Sequence, residues 1–393
     1  MSHDAPMNLP GLDMTISPSP DLSAYRAILT VDLDALAANY LRARELAGGA
    51  EVCGVVKADA YGHGLAPVGR ALASVGCKTF FVADVAEGAR LRAALPGVVI
   101  YTSSGLTPGA ASEMRANDLR PCLGNLAEVA DWQREAQRAG HALPAALHFD
   151  TGLNRLGFDE GEARRVLDDR SLLAGIDVAL VMSHLACADE PDHALNARQL
   201  ERFKPIRAAF PSARASLANT AGILLGPDYH FDMVRPGYGL YGGAPVEGQP
   251  NPFRLVARAE ARVLHISEVT AGSSSGYGAT WATERPARLA VLSVGYADGY
   301  FRALASAKGA GRVYIGGRYA PVAGRVSMDL LTVDVSDIPE GAVRRGDLAE
   351  LIGPHVSLDE VANRAGTIGY EVLTSLGERY KRLYTGAVAS AES

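Results

Sequence analysis

From about residue 27 to residue 256, short β-rich runs alternate with longer helical stretches, and this alternation restricts the fold more than any other feature of the chain. Strand-like runs fall at 51–56, 79–83, 98–101, 119–123, 145–149, 178–184, 213–217 and 231–234. Helical stretches fall at 65–75, Val85–Ala94, Leu126–Ala139 and Ala194–Ala209, among others. Repeated β-then-α units imply parallel strands joined by right-handed crossovers. About eight units over roughly 230 residues suit a TIM-type barrel, which usually needs about 250. An open, doubly wound sheet is the competing arrangement. No G-x-G-x-x-G follows the first strand, which counts against it.

After about residue 252 the texture changes. Short strand-like runs at Ala257–Val269, 289–294, 313–315, 322–326 and 330–335 are separated by glycines such as Gly272, Gly316, Gly317 and Gly324. That pattern predicts a mostly antiparallel β domain. A helix at Leu358–Ala365 follows, with Ser357 as N-cap and Glu360 three places on. The expected fold class is therefore α/β: an N-terminal (β/α)8 barrel over 25–256, then a β-rich C-terminal domain over 257–393. The first strand is free to pair with that second domain. Residues 1–24 are polar and proline-dotted (Ser17-Pro18-Ser19-Pro20) and read as a disordered tail without the regions of a secretory signal.

Bulk properties exclude several classes. The chain has 393 residues, enough for two domains, and 48% of them are hydrophobic. Its net charge is 38 − 44 = −6, without a basic block, so nucleic acid is not an expected partner. The four cysteines (Cys53, Cys77, Cys122, Cys187) form no C-x-x-C pair, so neither metal nor disulfides are signalled. Reduced thiols fit a cytoplasmic protein. No apolar run is long enough to span a membrane.

The chemistry concentrates where strands end. In Val55-Val56-Lys57-Ala58-Asp59-Ala60-Tyr61-Gly62-His63-Gly64 a lysine stands where an apolar run stops. Most strand-terminal lysines simply reach solvent. One at the inner end of a buried strand is desolvated, which suits Schiff-base formation with a carbonyl compound. Barrel enzymes place their chemistry at strand carboxyl ends. Polar residues recur there: Lys57 and Tyr61, then Asp150, Asn154 and Arg155, then His184, Asn219 and Thr220, and Arg235. Singly, Arg155 would be a surface ion-pair partner and His184 a satisfied core histidine. Convergence on one barrel face favours a functional reading.

The segment around Lys57 resembles the pyridoxal-phosphate attachment segment of the alanine racemase family. The likeness continues through Asp150–Gly157, Ser183–Ala186, Val234–Gly242, Gly276–Trp281, Val294–Tyr300, Gly324–Asp329 and Ile368–Glu371, in the family's order, from about Tyr25 to Tyr380. It implies that Lys57 carries pyridoxal 5′-phosphate as a Schiff base, with Tyr61, Thr220, Gly237, Tyr238 and Tyr370 holding the phosphate. Thr220 stands where the family usually has serine, and either hydroxyl can donate. Arg235 would face the pyridine nitrogen. Arginine, with a pKa above about 12, keeps its proton, so that nitrogen stays largely unprotonated and side reactions are restrained.

Racemisation removes a proton from one face of Cα and delivers one to the other, which two opposed bases do directly. The resemblance gives these roles to Lys57 and Tyr277, the tyrosine coming from the other subunit of a homodimer. Free tyrosine has a pKa near ~10 and needs help, which His184 and Arg235 would supply. A turn aromatic packed beneath a hairpin is the plain alternative for Tyr277. Arg155 and the backbone near Met328 would bind the substrate carboxylate. Tyr296, Asp189, Arg302, Arg325 and Ile368 would form the entrance, and a narrow pocket favours a small side chain. One departure stands out. Many members have a lysine, often carbamylated, seven residues before the Arg155 position. Here it is His148, which forms no stable carbamate, so Arg155 must be held by something else: His148 itself, water or a bound anion.

The implied activity is interconversion of L- and D-alanine, for peptidoglycan supply or for D-alanine breakdown. A racemase of broader specificity (serine, lysine, arginine) is the nearest rival. A fold-related decarboxylase is disfavoured by Arg235, since such enzymes typically place an acid at the ring nitrogen. A non-catalytic cofactor carrier is disfavoured by the second domain and Tyr277.

Overall fold

The computed structural model describes residues 21–305 and 311–386. The tail expected over residues 1–24 therefore lies outside the described residues, apart from 21–24. Eight parallel strands form a barrel. The first is in two halves, Glu51–Val52 and Gly54–Val55, broken at Cys53. Then come Thr79–Val82, Val99–Thr102, Leu119–Leu123, Leu143–His148, Ile176–Met182, Arg214–Ser216 and Met233–Val234. From the first strand to the seventh, each pairs parallel with the next, and the eighth pairs with Glu51–Val52. The Asp232 N–H donates to the Ala215 carbonyl at 3.0 Å and Asn219 bridges Arg235, which closes the ring.

The barrel has two apolar layers. Cys53, Phe81, Tyr101, Cys122, Ala146, Leu180, Met182 and Met233 fill its inside, so it is a packed core and not a pore. The opposite faces of the strands pack on the surrounding helices, which explains why the strands read as near-continuous apolar runs.

Strand Ala27–Asp32 stands in the β-rich part. It pairs antiparallel with Ala257–Val269 and parallel with the last strand, Tyr380–Thr385. Asp32 then caps helix Leu33–Leu46 by accepting the Ala35 N–H, and the chain enters the barrel. Ala257–Val269 is the 13-residue spine of the β part. Its first half also pairs with Leu348–Ile352, and its second half with Ala287–Leu292 after an irregularity at 263/265.

Several local expectations are corrected. Residues 322–326 make no strand beyond an isolated Val322–Val333 bridge. All but the exposed Arg325 are buried in a loop, and their apolar spacing reports that burial and not pairing. Strands Arg318–Pro321, Leu348–Ile352 and Tyr380–Thr385 were not legible. The first and last are polar, and the second is rich in helix-forming Leu, Ala and Glu. The helix at Leu358–Ala365 is present, and Ser357 accepts the Glu360 N–H at 3.1 Å. The Glu360 carboxylate turns away from the cap to Arg312 and Arg364.

Candidate active site

Lys57 follows the first barrel strand, and the four residues after it form one turn of left-handed helix. Ala58, Asp59, Ala60 and Tyr61 have φ of 54°, 51°, 55° and 54°. L-residues avoid this region by roughly 1–2 kcal/mol each, so the turn persists only because its surroundings hold it. The Glu87 carboxylate accepts the Asp59 N–H and the Ala83 N–H, each at 2.9 Å. Asp59 accepts the Leu65 N–H and pairs with Arg90 at 2.6 Å. Arg382 donates to the Gly62 carbonyl and Tyr384 to the His63 carbonyl, both at 3.0 Å.

The turn aims Lys57 into a cavity of about 800 Å³ at the carboxyl ends of the strands. Its walls include Tyr61, Phe81, Ser103, His148, Arg155, His184, Asn219, Thr220, Arg235 and Tyr370. Burial, then the Arg155 and Arg235 cations, lower the Lys57 pKa, with Glu87 opposing them. Such an amine is more readily available as a nucleophile.

Arg235 forms the floor. It is buried, donates to Ser216 Oγ and to the Ser183 and Leu217 carbonyls, and lies 6.0 Å from the Phe81 ring centroid. None of those partners is a carboxylate, so among the described residues no acid directly compensates its charge. That charge shapes the neighbouring histidines. His148 is pushed down to about 4 by burial and by Arg235 and Arg155. His184 is held well below its usual range by burial, then Arg235 and Arg155. Both imidazoles are neutral at pH 7. Arg155 is exposed and has no hydrogen-bond partner among the described residues, so His148 does not brace it by a direct bond.

The other end of the cavity presents a threonine hydroxyl and a helix start. Thr220 opens helix Thr220–Leu224 behind N-cap Asn219. Its Oγ1 accepts the Gly237 N–H at 3.0 Å, which leaves its hydroxyl hydrogen free to donate. A Cβ at Gly237 would stand 2.3 Å from the Tyr61 hydroxyl, so only glycine fits beside that ring. Tyr61 stacks on Tyr241 with ring centroids 4.6 Å apart, and Tyr238 stacks on Tyr370 at 4.0 Å. The Tyr238 hydroxyl is already engaged, donating to Asp359 at 2.9 Å, so of this residue only the backbone remains for an anion.

The remaining expected residues divide. Ile368 lines the mouth of the cavity, and Asp189 is exposed close enough to Tyr370 to act on its phenol, which burial and that charge push up to about 12. Tyr277, 72% exposed, does not line the cavity of its own chain, and neither do Tyr296, Arg302, Arg325 or Met328. Tyr277, Tyr296, Arg325 and Met328 form a second group on the β part. Ser275 donates to the Ala323 carbonyl, and Tyr296 and Ala297 donate to the Ser327 and Met328 carbonyls. Arg379 pairs with both Asp298 and Asp329 and locks these loops together. Sequence reading missed Glu87, Arg382, Tyr384, Ser103, Thr367 and Thr374. For Glu87 the signal was present as Asp84-x-x-Glu87, a helix-capping pattern.

Comparison with known proteins agrees with this fold and identifies a family. The family model described as alanine racemase, N-terminal domain, matches residues 31–245, and that for the alanine racemase C-terminal domain matches 256–384. A relative from Agrobacterium fabrum named "Alanine racemase, biosynthetic" is 48% identical, with 91% of this chain and 93% of that protein covered. One from Mesorhizobium japonicum named "Alanine racemase, catabolic" is 46% identical, with 93% and 94% covered. The crystal structure of alanine racemase from Bartonella henselae with covalently bound pyridoxal phosphate superposes with a TM-score of 0.87 at 39% identity, covering 92% of this chain and 99% of that one.

Proposed function

This chain belongs to the alanine racemase family, and we propose that it interconverts L- and D-alanine with pyridoxal 5′-phosphate on Lys57. The observation that carries the reading is a desolvated lysine amine aimed into a cavity that has a carboxylate-free arginine at its floor and a hydroxyl-lined anion end. The residues present fit the cofactor. Lys57 would bear it, and Tyr61, Thr220, Tyr370 and the 237–238 backbone would hold its phosphate. Arg235 would stand at the ring nitrogen. When bound, the cofactor supplies the conjugated system that makes the substrate Cα proton acidic.

The protein's own residues then move that proton. Lys57 Nζ takes or returns it on one face of Cα. Tyr277 of the partner subunit serves the opposite face, which the exposure of Tyr277 and its distance from its own cavity support. Arg235 presents a cation that will not release its proton to an aromatic nitrogen. His184, neutral and beside Arg235, is available to accept a hydrogen bond from a neighbouring phenol. Arg155 is the free cation at the mouth for a substrate carboxylate. The enzyme is a homodimer with shared sites on this reading, and a single subunit is inactive. On this reading the enzyme works in the cytoplasm, supplying D-alanine for peptidoglycan or degrading it, roles that the names of its biosynthetic and catabolic relatives support alike.

The test is a racemisation assay on L-alanine, L-serine, L-lysine and L-arginine with added cofactor. Fastest turnover of alanine, lost in Lys57→Ala, is the expected result. No turnover of any of the four would overturn the reading, and preference for a larger side chain would replace alanine as the substrate.

A further inference from the structure

Three barrel helices begin with the same short pattern: Asp84-x-x-Glu87, Asn125-x-x-Glu128 and Asp159-x-x-Glu162. In each, the N-cap side chain accepts the glutamate N–H as expected. A glutamate at this place usually reaches back to the N-cap N–H. Here each carboxylate reaches elsewhere. Glu128 accepts the Gly124 N–H at 2.7 Å with its carboxylate against Gly105 of the preceding loop, and Glu162 accepts the Leu126 N–H at 3.1 Å. These glutamates staple one strand-to-helix loop to its neighbour round the face that carries the cavity.

Glu87 differs in what it staples. One oxygen holds Ala83, after the second strand, and the other holds Asp59, inside the left-handed turn. We propose that Glu87 is a positioning residue for Lys57: its carboxylate locks the left-handed turn that points the amine into the cavity, and it is the acid set against that amine's cationic surroundings. Arg155 and Arg235 act on Lys57 with the opposite sign, His184 shares its cavity from just beyond the sixth strand, and among the described residues Glu87 is the carboxylate that acts on it. Charge-assisted hydrogen bonds of this kind are about twice as strong as neutral ones, which suits a device that must hold four residues in a disfavoured conformation. The inference rests on the reading of Lys57 as the cofactor-bearing amine.

The experiment follows attachment of cofactor to the full-length protein. Bound cofactor is removed with hydroxylamine, pyridoxal 5′-phosphate is added, and attachment at Lys57 is trapped with borohydride and mapped from neutral to alkaline pH. In that reaction Nζ bonds to the aldehyde carbon, the aldehyde oxygen leaves as water, and hydride from borohydride reduces the C=N bond. Glu87→Gln is expected to slow attachment about tenfold at its alkaline plateau, because a charged double acceptor is lost. Its midpoint moves to lower pH, because the acid facing the amine is gone. Glu87→Asp keeps the charge but not the reach, so the plateau falls and the midpoint stays. Glu128→Gln, the same device two helices further round, changes neither. A Glu87→Gln that behaves like Glu128→Gln, or a Glu87→Asp with a wild-type plateau if the amide variant does not fold, overturns the inference. Wild-type protein that fails to attach cofactor at Lys57 would instead sink the reading of the site.

Discussion

Arg382 donates from Nε to the Gly62 carbonyl at 3.0 Å, three hundred and twenty residues away in the chain. Its other nitrogens donate to the carbonyls of Leu376 and Gly377, at the end of the helix that carries Tyr370. One guanidinium thus fixes two walls of the cavity relative to each other. Arg382→Ala leaves three carbonyls without their charged donor and is expected to destabilise the fold by about 2–4 kcal/mol. Urea unfolding of the two proteins measures it, with faster cofactor loss on dialysis as the companion result. An unchanged unfolding midpoint would mean that water replaces the side chain at no loss.

Ala58 is exposed and lies in the left-handed turn with φ of 54°. Ala58→Gly removes a steric cost of roughly 1–2 kcal/mol and adds a chain-entropy cost of roughly 0.5–1 kcal/mol. The variant is expected to be more stable by about 0.5–1 kcal/mol, read as a raised unfolding midpoint. A lowered midpoint would show that the turn is not strained.

His148 titrates near 6.5 in an unfolded chain but is pushed down to about 4 in the folded one. Between those values the unfolded chain carries the extra proton, so acid favours unfolding. The contribution is whole above about pH 6.5 and declines as pH falls toward 4. At pH 5 the wild type should have lost about 2 kcal/mol more than His148→Gln, relative to their stabilities at neutral pH. His63 is depressed in the same way but is common to both proteins, so it cancels. Denaturant titrations at the two pH values supply the comparison. Equal acid sensitivity in both proteins would remove His148 as a source.

Tyr277→Phe should slow proton removal from L-alanine more than from D-alanine, because each enantiomer is attacked from a different face. Deuterium uptake from solvent into each enantiomer measures the two rates separately. Shared sites add a second consequence. Inactive Lys57→Ala and inactive Tyr277→Phe chains, unfolded together and refolded at equal amounts, should recover about a quarter of wild-type activity. Half the dimers would be mixed and each would hold one intact site. No recovery would place Tyr277 and Lys57 of one chain in the same site.

Much of the barrel was legible because βα repetition is a local signal that occurs in every unit. Lys57, Arg155, His184, Thr220 and Arg235 could be assembled because a barrel brings strand carboxyl ends to one face. Other features have no local signature. The left-handed turn at 58–61 contains no glycine, the residue that usually marks such a conformation. Strand Tyr380–Thr385 is polar because it lies at a sheet edge, and its role depends on Gly62 and His63 far earlier in the chain. Glu87 announced itself as a cap and was diverted to a neighbouring loop. The engagement of the Tyr238 hydroxyl with Asp359 depends on how the barrel and the β part meet, and no single segment records that.

The opening strand Ala27–Asp32 waits for Tyr380–Thr385 as its neighbour, and that closing strand also carries Arg382 and Tyr384. During synthesis Lys57 therefore emerges well before Arg382 and Tyr384, which hold the carbonyls of Gly62 and His63 at the end of its turn. A nascent chain that has not yet reached Tyr380 leaves an unpaired sheet edge beside the opening strand, the kind of surface that recruits other chains. The lysine turn gains these two braces only once that closing strand has been made.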